Sequence, residues 1–244
     1  MVNDLTGLDD QTMQTIAAEL GFSETVFIDW MDEGTPHVRI FTPAIEMPFA
    51  GHPLVGSAWV LGSLGPDTVT EMTCGVGSIP FRSDVDSAWI DTPLVSDVRV
   101  ADDGAAIATA AGLPQPSRAW WAMMPLPYLI LDLGTAEAVS KASPDIPKLA
   151  ELDAGMTYVI GSQGDDLRVR FFAPGAGVPE DPATGSAASA YAAVRLFEDE
   201  QEGAVTIHQG EEIGHPSTIQ LVWAPDRATL GGSVRRDEVR ILER

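Results

Sequence analysis

Two short turns hold most of the side chains able to do chemistry: Gly51-His52-Pro53-Leu54-Val55-Gly56-Ser57-Ala58 and Glu180-Asp181-Pro182-Ala183-Thr184-Gly185-Ser186-Ala187. In each, a polar residue precedes a proline, as expected of an N-cap followed by the first helical residue. The small Gly-Ser-Ala segments would let the opening turn of each helix approach a ligand, or the other half of the chain, closely. Free backbone N–H groups and the positive end of a helix dipole form an anion site there. Two such ends aimed at one cleft would hold a carboxylate without an arginine. Each turn alone has a plainer explanation, with Asp181 as a simple cap and His52 as an ordinary loop residue. Repetition argues for more, and sets His52 against Asp181 as a titratable pair of opposite charge tendency.

Glu24 is a third candidate. It stands in Phe22-Ser23-Glu24-Thr25-Val26-Phe27, where apolar neighbours would desolvate the carboxyl and lift its pKa toward the range useful for proton transfer. The corner expected to correspond in the second half, Leu113 to Ser117, has no acid. The halves are therefore expected to differ at this point. Cys74 is the only cysteine, which excludes an internal disulfide, a thiolate zinc cage and a pair of catalytic thiols. His37, His52, His208 and His215 include no pair at i, i+4 spacing, so no metal site is expected.

The elements that must position these residues follow from periodicity. Met13, Ile16, Ala17 and Leu20, after Asp9-Asp10 and before Gly21, predict an amphipathic helix with an acidic start and a glycine stop. Val26-Phe27-Ile28 and Val38 to Thr42 predict strands, and a helix is expected from about Leu54 to Leu64. Thr68 to Met72, Ser78 to Arg82 and Ser87 to Asp91 alternate with Gly and Asp turns, as short antiparallel strands do. Residues 102 to 112 predict an alanine-rich helix. Trp120 to Leu133, Met156 to Ile160 and Leu167 to Phe172 contain strand-like segments, with Pro125 and Pro127 expected to confine the first to an edge or bulge. A helix from about Ala183 to Phe197 and further strands complete the chain.

Internal repetition is the sharpest pattern. Arg39-Ile40-Phe41-Thr42-Pro43 matches Arg170-Phe171-Phe172-Ala173-Pro174, and His52-Pro53-x-x-Gly56-Ser57-Ala58 then matches Asp181-Pro182-x-x-Gly185-Ser186-Ala187. Both pieces in the same order argue for a duplication. The charge balance, 36 acidic against 14 basic residues and a net charge of -22, excludes a phosphate-tracking surface, so nucleic acid is not an expected partner. An acidic surface repels anions at long range, yet local donors prevail within a Debye length of ~8 Å. Solubility, or adaptation to a salty cytoplasm, accounts for the acidity. No apolar run approaches the ~20 residues of a membrane span, and the start lacks a basic and apolar leader; the expectation is a soluble, cytoplasmic protein.

Taken together, these motifs resemble the phenazine-biosynthesis PhzF-like family within the diaminopimelate epimerase-like fold. The matching stretches are Met13 to Phe27, Phe41-Thr42-Pro43, Gly51-His52-Pro53, Phe172-Ala173-Pro174, Glu180 to Ala187, Gln209-Gly210 and Gly214-His215-Pro216-Ser217. The resemblance implies an α+β fold of two pseudo-symmetric lobes, each a curved, mostly antiparallel sheet wrapped around a central helix, with the active site between them. The Pro93 region closes the first half, which gives 1–95 as N-terminal lobe, 96–225 as C-terminal lobe and 226–244 as a terminal strand region of unassigned lobe. The implied activity is cofactor-independent isomerisation of a small carboxylated metabolite by general acid/base proton transfer. By motif position Glu24 would be the main acid/base, with His52 and Asp181 assisting, and Ser23, Gly51, Gly185 and Ser186 binding substrate. A homodimer is compatible with this reading.

Related racemases of the fold place a cysteine in each half; this chain has none at either turn, which argues against a two-thiol racemase. His215 stands where arginine is commoner in the family and is read as structural. Family members also begin with a strand and a Gly-Asn-Pro segment ahead of the first helix, and here that helix lies only a few residues from the start. A missing strand would leave a sheet edge unpaired and open the cleft wall. It motivates the alternative of a noncatalytic carboxylate-binding paralogue or pathway partner. The loops Pro43 to Ala50 and Gly175 to Pro179 are expected to shape the pocket.

Overall fold

The computed structural model describes residues 1, 2, 5, 7–30, 34–66, 68–93, 97–124, 126–152, 154 and 156–237. Helix α1 (Asp10–Leu20) is held at both ends as its sequence requires. Asp9 accepts from the Thr12 amide at 2.8 Å, and Gly21 takes the left-handed φ of 66° that ends a helix. Met13 and Ala17 bury the apolar stripe against Phe27 and Phe41.

The first half continues through β1 (Thr25–Asp29), β2 (His37–Phe41), β3 (Glu46–Met47), α2 (Gly51–Leu64), β4 (Glu71–Cys74), β5 (Gly77–Ser83) and β6 (Ser87–Pro93). A connecting layer follows: β7 (Val98–Val100), α3 (Gly104–Ala110), β8 (Arg118–Met123), β9 (Pro127–Thr135), α4 (Ala136–Lys141) and α5 (Ile146–Glu151). The second half is β10 (Thr157–Gln163), β11 (Asp166–Ala173), β12 (Val178–Asp181), α6 (Gly185–Phe197), β13 (Gly203–Gln209), β14 (Ser217–Ala224) and β15 (Arg227–Ser233).

The duplication read from the motifs is visible in every pairing. β1 lies antiparallel to β2, β2 parallel to β4, and β4, β5 and β6 run antiparallel in turn. β10, β11, β13, β14 and β15 repeat that order and those directions. The short β3 sits on β2 as β12 sits on β11. Even the clamps repeat. Arg39 Nε and Nη2 hold both Glu46 oxygens at 2.7 Å, while Arg170 Nε and Nη2 hold both Glu180 oxygens at 2.7 Å. Their guanidinium carbons lie 5.1 and 5.0 Å from the ring centres of Phe41 and Phe172.

The sheet halves meet at equivalent strands: β6 and β15 pair antiparallel from Ser87↔Ser233 to Pro93↔Arg227. Each half wraps a helix. In α6 every residue from Gly185 to Val194 is buried, which its Gly, Ser and Ala content makes possible, since larger side chains all round would hold the sheet off. The two helices are brought end to end. A Cβ built on Gly51 would lie 2.4 Å from the Gly185 Cα, so only glycine permits this approach.

Several expectations need correction. Pro127 does not mark an edge: β9 is paired on both sides, by β8 and β10, and the proline stands at its first residue, where the absent N–H is tolerated. Pro125 lies outside the described residues, as do residues 94–96 next to Pro93 and residues 238–244 of the terminal region. The strand expected from Thr68 starts at Glu71. The edge of β1 is not bare, because Val2 bridges to it in parallel, its amide 2.7 Å from Val26 O and its carbonyl 2.9 Å from Ile28 N. That is the place β9 takes on β10. No helix among the described residues is long and apolar enough to cross a membrane.

The end-to-end contact generates a direct prediction. Gly51→Ala forces backbone against backbone and is expected to cost roughly 3 kcal/mol in urea unfolding. Gly56→Ala in the same helix meets only the flexible tip of Met1, and should be neutral or gain up to about 1 kcal/mol from helix propensity.

Candidate active site

Both helix ends at the junction lack a side-chain cap. This corrects the expected Asp/His-then-Pro capping. α2 starts at Gly51, with Ala50 as its cap, so His52 lies inside the first turn and Pro53 follows it. In the second copy Asp181 is still committed to the ladder, paired with Phe171, so the helix cannot begin until Gly185. The same motif thus folds as helix in one half and as strand and turn in the other. Among the described residues no side chain bonds the amides of Gly51 and His52 in α2, or of Gly185 and Ser186 in α6, at the positive ends of two dipoles.

The structure brings Glu24 and His52 together: Glu24 Oε2 is 3.1 Å from His52 Nε2. Oε2 is shielded from solvent and has no well-aligned hydrogen bond, so this is a close ion-pair contact. His52 Nδ1 is 2.9 Å from the Ala183 carbonyl. A carbonyl only accepts, so Nδ1 carries a proton, and a neutral ring would present a bare Nε2 to the carboxyl. One further proton, on Nε2, would charge the ring against the carboxylate 3.1 Å away.

Burial pushes the Glu24 carboxyl up, as the sequence leads one to expect, but the His52 ring and then the Ser23 hydroxyl outweigh it and hold the group below its usual range. For His52, burial pushes the ring down, while Glu24, then the Asp181 charge and the Ala183 carbonyl, raise it above its usual value. Both shifts favour the imidazolium and carboxylate forms of the pair. Asp181 is buried, and burial raises it, with Glu24 adding to the rise; Thr184, His52 and the Ala183 amide pull against that.

A cradle of residues not singled out beforehand holds Asp181. Thr184 Oγ1 donates to Asp181 Oδ2 at 2.5 Å. Gln209, completely buried, donates through Nε2 to Asp181 O at 2.7 Å and to Thr184 Oγ1 at 2.9 Å, and accepts the Thr184 amide at 3.2 Å. Gly210, at φ 83°, carries the chain past Pro182, where a Cβ would lie 2.9 Å from the Pro182 carbonyl. Ser217 Oγ donates to that carbonyl. The Gln-Gly and Pro-Ser motifs were the signal that could have found this cradle. Exposed His215 donates its amide to Gly210 O at 2.9 Å.

The counterpart of Glu24 is not the Leu113 to Ser117 corner. Thr25 pairs with Phe41 as Thr157 pairs with Phe172, which sets Met156 at the position of Glu24. The asymmetry stands, with an apolar side chain in the other lobe. A cleft of about 510 Å³ lies against the helix ends, lined by Gly51, His52, Ala183 and Gly185, by β14 and β15 residues including Gln220, and by Arg235 just after β15. The loops Pro43 to Ala50 and Gly175 to Pro179 do not line it, and neither do Ser23, Glu24, Asp181 or Ser186. Among the described residues no Asp or Glu lines it, in a chain where acids outnumber bases 36 to 14. Among the described residues no group of three or more His, Cys, Asp or Glu side chains is placed to hold a metal ion.

Two halves of one large sheet, each wrapped on a helix and joined at equivalent strands, form an epimerase-like fold. A solved structure described as a predicted epimerase from Pseudomonas aeruginosa superposes with a TM-score of 0.78 at 29% identity, over 99% of this chain and 92% of its own. A probable proline racemase from Agrobacterium radiobacter shares the fold alone, with TM-score 0.57 and 9% identity over 94% of this chain and 80% of its own. Residues 1–233 match the family model for phenazine biosynthesis-like proteins, PhzC-PhzF. An uncharacterized isomerase of Mesorhizobium japonicum is 33% identical, covering 91% of this chain and 83% of its own length. The trans-2,3-dihydro-3-hydroxyanthranilate isomerase of Pseudomonas fluorescens is 33% identical, covering 88% and 81%. This chain belongs to the phenazine biosynthesis-like family and is an isomerase of the PhzF-like kind.

The coupled pair has a pH signature. Glu24, held low, adds stability that is present above its ordinary value of 4.5 and lost as pH falls through the depressed one. His52, held high, adds stability that is full below 6.5 and lost as pH rises through the raised value. His52→Asn should therefore destabilise most between pH 4.5 and 6.5. A loss on the order of 1 kcal/mol is expected there, small because the half-open ring is screened by solvent, and chemical denaturation across pH would show it shrinking on both sides.

Proposed function

We propose that the protein moves a proton between two carbons of a small carboxylated metabolite, with Glu24 as the group that takes and returns it. The observation that carries this reading is the Glu24 carboxylate, paired at 3.1 Å with a histidine whose far nitrogen is tied to Ala183. An ionised carboxylate is ready to accept a proton. The C–H bond breaks toward Glu24, the electron pair shifts along the substrate to relocate a double bond, and the Glu24 carboxyl then gives the proton to the second carbon. No atom is gained or lost, and no cofactor is called for. His52 keeps Glu24 ionised in the resting state and steadies it through the transfer, while Asp181, with its raised affinity for protons, orients the substrate and assists protonation.

The substrate carboxylate would lie at the paired helix ends, bound by the amides of Gly51 and Gly185 and the Ser186 hydroxyl, with Ser23 beside Glu24. Negative charge that builds when a carbon next to a carboxylate loses its proton would be stabilised by the same dipoles. The described lining of the cleft, with Arg235 and without Asp or Glu, supports an anionic ligand. So do relatives named trans-2,3-dihydro-3-hydroxyanthranilate isomerase, at 32–33% identity, which makes that compound the first substrate to test.

In deuterium oxide, wild-type protein should introduce deuterium into a carbon of the isomerised product. Glu24→Gln should slow this by about 10²- to 10⁴-fold, with carboxylate affinity retained. Exchange at the wild-type rate in that variant would remove Glu24 from the mechanism.

A further inference from the structure

Tyr128, the second residue of β9, reaches across to α6 and donates its hydroxyl to Ser186 Oγ at 2.7 Å. Both side chains are more than nine-tenths buried. Burial, opposed by the Ser186 hydrogen bond and reinforced by the Asp181 charge, pushes the phenol up to about 12, so it stays a donor throughout the working range. The core does not demand this contact: the neighbouring Tyr158 hydroxyl is fully buried without a partner.

A serine hydroxyl has one proton and two lone pairs. Accepting from Tyr128 occupies a lone pair and restricts the rotor, so the Ser186 proton must point elsewhere. Among the described residues the only hydrogen bond of that hydroxyl is the one it accepts from Tyr128. A buried donor left unspent is costly. It stands in the first turn of α6, beside Gly185 and within the set of amides that also lack side-chain partners. Hydroxyl and amides share one deficit, which a carboxylate oxygen fills.

We infer that Tyr128 is a positioning residue for substrate binding: by donating to Ser186 it aims the Ser186 proton at an oxygen of the bound carboxylate. This rests on the proposal that the helix ends hold that carboxylate. Without Tyr128 the serine rotor is free to turn, and part of the bond to the ligand is lost although Ser186 remains.

Calorimetry with anthranilate, a stable aromatic carboxylate, tests this with Tyr128→Phe, Ser186→Ala and the double variant. Ser186→Ala should weaken binding about 10-fold or more and Tyr128→Phe about 3- to 10-fold, as expected for loss and for partial loss of a hydrogen bond to a charged group. The double variant should bind no more weakly than Ser186→Ala alone, since Tyr128 acts only through the serine. Multiplying effects, or an unchanged affinity in Tyr128→Phe, would overturn the inference and leave the carboxylate reading intact. A wild-type protein that ignores anthranilate, by contrast, would overturn both.

Discussion

Gly51 and Gly185 touch backbone to backbone, and most of what the protein can do chemically depends on that contact. Two helix ends, each equivalent to roughly half a positive charge, are pressed together where neither carries a side-chain cap. Such ends repel one another, and only negative charge nearby relieves the repulsion. Glu24, Asp181 and a ligand carboxylate are the groups that can supply it. The same closeness sets the His52 ring 2.9 Å from the Ala183 carbonyl of the other lobe. A side chain from one half is thus held in one tautomer by a backbone group of the other.

The duplicated frame is symmetric in its arginine clamps and asymmetric at Glu24. Arg39 with Glu46 and Arg170 with Glu180 are the same bidentate clamp, each fastening a two-to-four-residue strand beside its lobe's helix entrance. The second is the more deeply buried, with side chains 9% and 11% exposed. There, good geometry offsets the cost of desolvating two charges. It fixes Glu180 and hence the placement of Asp181. Symmetry ends at Glu24 and Met156. One lobe offers a titratable group at this position and the other a thioether, a difference that a one-base proton transfer, as proposed above, would use.

Much of this was legible in the residues. The Arg-x-Phe and Pro-x-x-Gly-Ser-Ala repeats point to a duplicated fold because each copy builds the same clamp and buries the same small-residue segment in its helix. Asp-Pro and His-Pro look alike in sequence, whereas in space Asp181 is held by a strand ladder and His52 is not. Leu113 to Ser117 follows a helix as Glu24 does, but strand register, which the sequence does not carry, puts the counterpart of Glu24 at Met156. The cleft wall is hidden in the sequence for a similar reason. Thr218 and Gln220 alternate with buried Ile219 and Leu221, like any solvent-facing strand, and nothing local distinguishes a face that looks into a cavity. Tyr128 reads as one more core aromatic until its hydroxyl partner is seen.

His52 keeps a proton on Nδ1 for Ala183 and faces Glu24 with Nε2, where a second proton is favoured. Nitrogen-15 NMR of the His52 ring across a pH titration tests this most directly. Nδ1 should remain protonated at every pH, and Nε2 should lose its proton only above the ordinary histidine range, at a lower pH once Glu24 is replaced by Gln. A ring that is neutral at pH 7 with its proton on Nε2 would contradict the account.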